Sequence, residues 1–132
     1  MTLQQVQEVP ADFGGSLPEY IVYRTLQRLG LDPGQDSIFQ SSFQGGRLTK
    51  GGQIIDFLFI NPPNLAINVQ GTYYHQEQGP TVIARDRMAR AQLAGEGITL
   101  IFIDEGDILA DAERFVRAAL RYQDLSFLGG LG

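Results

Sequence analysis

Asp56 stands inside an almost wholly apolar run, Ile54-Ile55-Asp56-Phe57-Leu58-Phe59. Burying an unpaired carboxylate there is costly, so an acid at this position is a candidate for chemistry. Twelve residues on come Asn68-Val69-Gln70-Gly71, and the sole histidine, His75, follows. On a strand, residues two apart point to the same face, so Asn68 and Gln70 are presented together, beside Asp56 if the two strands pair. His75 is placed to act as a general base or to orient a water. Glu19 is a further acid near the start of the first helix. Each of these residues has a plainer reading: Glu19 as a helix-capping partner, Asn68 and Gln70 as a satisfied polar pair at a strand end, His75 as a structural residue of a tyrosine-rich loop.

The elements that position these residues follow from patterning. Ser16-Leu17-Pro18-Glu19 opens a helix, with serine as N-cap, proline in the first turn and glutamate closing a capping box. Leu17, Ile21, Leu26 and Leu29 lie near one face of it, and Gly30 stops it. Residues 37–44 suggest a half-buried strand, and the glycines of residues 45–52 a loop or hairpin tip. Residues 53–60 read as one central strand covered on both sides. The Asn61-Pro62-Pro63-Asn64 turn leads to a strand over residues 65–71. Residues 82–93 read as a helix ending at Gly95-Glu96-Gly97, and residues 98–103 as a buried strand reached by a helical crossover, hence parallel to a neighbour. Residues 110–122 form a last helix.

The expected order is α-β-β-β-α-β-α, a three-stranded meander followed by a crossover helix and a parallel strand. This is an α/β fold with a mixed sheet flanked by helices on both faces. The division expected is a flexible lead-in over 1–15, a single domain over 16–122 and a glycine-rich tail over 123–132.

Composition bounds the functional classes. At 132 residues the chain holds one core, not two. No apolar run approaches the roughly 20 residues that span a bilayer. The first fifteen residues lack the basic and apolar regions of a secretory signal, and there is no cysteine for disulfides or thiolate metal sites. An intracellular, cytoplasmic setting is the expectation. Ten basic and fifteen acidic residues give a net charge of −5, which argues against tight nucleic-acid binding by the isolated chain. The cations that remain cluster. Arg85, Arg87 and Arg90 lie on the crossover helix, and Arg114, Arg117 and Arg121 on one face of the last, where a solvated face is the default reading. Asp104, Glu105, Asp107 and Asp111 read as helix N-terminal charges. Tyr73-Tyr74 either stack on bases or pack at the sheet edge.

Order and residues together resemble the PD-(D/E)XK nuclease superfamily, the restriction-endonuclease-like fold with its α-β-β-β-α-β core. Within it the chain looks most like the small domains related to very short patch repair endonucleases. Those carry a glutamate early in the first helix (Glu19 here) and an Asp-Phe pair entering the second strand (Asp56-Phe57). They carry a Glu-x-Asp-Gly-x-x-His type of segment ending the third strand, where this chain has Asn68 to His75. They continue with Asp-x-x-Arg-x-x-x-Leu-x-x-x-Gly, matched by Asp86, Leu93 and Gly97, with the arginine displaced by one to Arg90. The resemblance covers roughly residues 16–109.

It implies a DNA endonuclease using Mg²⁺ held by Asp56, Glu19, Asn68 and the Val69 carbonyl, with His75 and Gln70 assisting catalysis. Lys50, Arg85, Arg87 and Arg90 would contact DNA, with Lys50 also a candidate displaced catalytic lysine. The departure lies in the two amides. Asn68 removes a negative charge from the ligand set, and Gln70 removes the cation that stabilises charge on the phosphate. Some active members tolerate an amide at one of these positions; both together go further. The alternative expectation is a catalytically inactive module of the same fold, with a binding or structural role in an assembly such as a phage or mobile-element particle.

Overall fold

The computed structural model describes residues 8–39, 48–50, 53–71, 84 and 86–125. Helix α1 spans Leu17–Arg28. Short strands follow: β1 at Ser37–Phe39, β2 at Leu48–Lys50, β3 at Gln53–Ile55 and β4 at Phe57–Phe59. Strand β5 is Leu65–Gln70; helix α2 takes residue 84 and residues 86–94; β6 is Thr99–Asp104 and helix α3 Glu105–Leu120.

The main sheet has the order β1-β4-β5-β6. β1, β4 and β5 form an antiparallel meander, and β6 runs parallel to β5 with Leu65 opposite Thr99 and Gln70 opposite Asp104. The expected mixed α/β sheet, meander and parallel crossover are all present. The β2–β3 hairpin is a separate two-stranded unit with Lys50 opposite Gln53.

Each face of the sheet has its own core. On one, α1 and α3 bury Ile21, Val22, Ile108 and Val116 against Phe57, Leu65, Ile67 and Ile101. On the other, α2 buries Ala89 and Leu93 against Ala66, Leu100 and Phe102. β5 and β6 are covered on both sides, which is why they read as continuous apolar runs.

α1 opens as its sequence predicts. The Ser16 hydroxyl accepts from the Glu19 N–H at 3.3 Å, and the Ser16 N–H donates to Glu19 Oε1 at 2.9 Å. Gly30, at φ +89°, takes the left-handed conformation that ends the helix cheaply only in glycine.

Four expectations need correction. Residues 53–60 are not one strand: the run breaks at Asp56, so that Ile55 packs on the α2 side and Phe57 on the α1–α3 side. Unbroken alternation would put these two on one face. Residues 48–50, expected in a loop or hairpin tip, are strand β2, one arm of the β2–β3 hairpin. The last helix starts at Glu105 rather than 110, with a break at Asp111, where φ is −162° and ψ 77°. The packed domain also begins upstream of Ser16, because the Phe13 ring stacks on Phe39 at 4.7 Å and meets Tyr20 and Tyr23 edge-on. The rest of the expected first strand, beyond Phe39, and the tail beyond Leu125 lie outside the described residues.

Candidate functional site

The break at Asp56 creates the site. Its backbone N–H donates to Asn68 Oδ1 at 2.8 Å, and its Oδ2 accepts the Val69 N–H at 2.9 Å. Where β4 leaves regular pairing, these two side chains supply the rungs in place of backbone. The Asp56 carboxylate, 6% exposed, is thereby fixed against β5.

Asn68 and Gln70 share the α2 face, as period-two alternation requires. Gln70 is buried and its Nε2 donates to Asp86 Oδ2 at 2.8 Å. Asp86 lies on α2 and is itself 6% exposed. The pair therefore ties the end of β5 to α2.

Glu19 belongs to the same end of the sheet. Its Oε1 and the Phe39 ring both border Gly15, and Phe39 pairs with Phe57, the neighbour of Asp56. Its carboxylate is only 8% exposed and folds back on Ser16 as the capping-box partner. Asp104, opposite Gln70 in the register, ends β6 at this same end. The carboxyl ends of the parallel pair β5 and β6 thus gather Asp56, Asn68, Gln70, Asp86 and Asp104, and open α/β sheets bind ligands at such ends.

The structure brings together Asp56, Asn68, Val69 and Gln70 as spacing predicts. Asp86 and Asp104 were not expected in the site. For Asp86 the available signal was its place opening the Asp-x-x-Arg-x-x-x-Leu-x-x-x-Gly segment of the crossover helix. For Asp104 it was the parallel register, which no local pattern reveals. His75, Arg85 and the Tyr73-Tyr74 pair lie outside the described residues. Lys50 is the last residue of β2. Arg87 and Arg90 sit on α2 beside an open groove. Glu105 and Asp107 fall in the first turn of α3 and Asp111 caps its second segment, as helix N-terminal charges do.

The oxygen chemistry of the implied ligand set suits Mg²⁺, and one oxygen of each of its three side chains is committed to a hydrogen bond within the fold. Asp56 Oδ2, Asn68 Oδ1 and Glu19 Oε1 each accept a backbone N–H. Among the described residues, no three acidic or histidine side chains converge as a metal-holding group.

Comparison with protein-family models, curated proteins and solved structures returns no match.

Proposed function

We propose that this chain is a nuclease-fold module whose hydrolytic end has been rebuilt as a structural lock, and that it serves as a binding or structural part of a larger assembly. The order of helix, antiparallel meander, crossover helix and parallel strand supports the scaffold. So does the place of Asp56 at the head of the middle strand, with Asn68-x-Gln70 on the next. One observation carries the loss of chemistry. Both amides are spent on structure, Asn68 on the Asp56 N–H and Gln70 on the Asp86 carboxylate. An amide held this way supplies neither the ligand charge nor the cation that phosphodiester cleavage draws on.

A second reading, a Mg²⁺-dependent DNA endonuclease, is favoured by a different observation. Glu19, Asp56 and Asp86 are all buried carboxylates on elements that meet at one end of the sheet. Nicking of supercoiled plasmid with Mg²⁺ or Mn²⁺ separates the two. The lock predicts no nicking by the native chain. Cleavage that disappears in Asp56→Ala would establish the enzyme and overturn the silent reading. The double substitution Asn68→Glu with Gln70→Lys, assayed alongside, is expected to gain metal-dependent nicking if the scaffold retains nuclease geometry.

A further inference from the structure

Beside the sheet, Arg87, Arg90, Ala91 and Ala94 of α2 form one wall of an open groove of about 580 Å³, and residues 98–100 form the other. This groove lies beside the start of β6. The Thr99 N–H donates inward, to the Asn64 carbonyl at 2.9 Å. Alternation then turns the backbone groups of Leu100 and Phe102 outward. Among the described residues, no strand pairs with the outer edge of β6.

We infer that the groove and the β6 edge receive a second copy of this chain, joined by antiparallel pairing of β6 with β6 about a two-fold axis near Leu100. Three features specify this occupant. α2 straddles β5 and β6, since Ala89 and Leu93 share a core with Ala66, Leu100 and Phe102. Continuing the sheet by one copy places the second α2 two strand spacings away, about 10 Å. That is the ordinary packing distance of two helices. The facing residues Ala91 and Ala94 are exposed and small enough for such an approach.

The charges are also self-complementary. Arg87 lies at the Asp104 end of β6, because its neighbour Asp86 binds Gln70, the partner of Asp104 in the register. Glu96 lies at the opposite end, in the turn before β6. A two-fold axis sets Arg87 of each copy against Glu96 of the other. A polyanion is a poorer fit to a chain of net charge −5.

This inference is independent of the functional reading above and is tested by mass in solution. Sedimentation of the full chain at tens of micromolar should give twice its 14.5 kDa mass. Ala91→Arg with Ala94→Arg, at exposed positions, should weaken dimerisation at least tenfold and leave the circular dichroism spectrum and melting temperature of the fold in place. Arg87→Glu alone and Glu96→Arg alone should each weaken self-association. An equimolar mixture of the two should dimerise again, because each heterodimer restores both charge pairs. A monomer mass throughout overturns the inference, as does a dimer indifferent to Ala91 and Ala94. A monomer that binds an oligonucleotide through Arg87 and Arg90 also overturns it and assigns the groove to a polyanion.

Discussion

Asp56 is held by the strand it faces. The carboxylate takes the Val69 N–H, and the Asp56 N–H takes the Asn68 side chain, so one acid and one amide replace a stretch of ladder. Removing the acceptor leaves a buried N–H unsatisfied, a loss of about 1–3 kcal/mol. Asp56→Ala should therefore lower stability by about that amount in urea unfolding, with an unchanged m value. Asp56→Asn keeps an oxygen for Val69 and should recover most of the loss. Equal losses in the two variants would mean that the charge, rather than the acceptor, is what the fold needs. Gln70 and Asp86 invite the complementary measurement. Gln70→Ala takes one donor away from a buried carboxylate, whereas Gln70→Ala with Asp86→Ala removes both ends of the bond. A double-mutant cycle should return a favourable coupling of about 0.5–3 kcal/mol. Simple additivity would show that the 2.8 Å bond contributes nothing to holding β5 against α2.

Elements whose boundaries rest on side-chain chemistry were legible in the sequence. Ser16 and Glu19 announce the start of α1, Gly30 its end, and Gly95-Glu96-Gly97 the end of α2, with Gly97 at φ +81°. The apolar runs of β5 and β6 and their parallel pairing followed from the crossover helix. The breaks were not legible, because each occurs inside a pattern that is locally continuous. Ile54-Ile55-Asp56-Phe57-Leu58-Phe59 alternates no differently whether or not it bends; only the two separate cores, one on each side of the sheet, force Ile55 and Phe57 apart. For the same reason the site was half visible: spacing places Asn68 and Gln70 on one face, but the partner of Gln70 comes from α2 through tertiary packing. α3 behaves alike. Its apolar face runs on through Ile108, Ala112, Val116 and Ala119, while the backbone resets at Asp111, whose Oδ1 accepts the Arg114 N–H at 3.2 Å. Asp111 is thus an internal N-cap. Asp111→Ala should cost about 1 kcal/mol of stability, the usual loss for a removed cap. Arg117, exposed and 3.5 Å from Glu113, should tolerate alanine with a change within about 0.5 kcal/mol. A smaller effect at Asp111 than at Arg117 in thermal melts would refute the capping role.

At the scale of the molecule, two cores share a single four-stranded sheet. Strands β5 and β6 contribute alternate residues to each, Leu65 and Ile67 to one and Ala66 to the other, Ile101 and Ile103 to one and Leu100 and Phe102 to the other. Neither core can open without exposing strands that the other depends on, so the two halves are coupled through the backbone of the sheet. Chains of this size with a shared core ordinarily unfold in one step. The lock at Asp56 and the Gln70–Asp86 bond add to the coupling, since they tie β4 to β5 and β5 to α2 at the end where the strands stop. Calorimetry should accordingly show one transition whose calorimetric and van't Hoff enthalpies agree. Leu93→Ala opens a cavity on the α2 side and Val116→Ala one on the α1–α3 side, and both parent side chains are fully buried. The leucine truncation should cost about 2–5 kcal/mol and the smaller valine truncation less. Each should move the whole transition downward, and near-ultraviolet and far-ultraviolet signals should still coincide. A second transition appearing in either variant would mean that the faces unfold separately, and that the polar ties at the end of the sheet do not bind the layers into one cooperative unit.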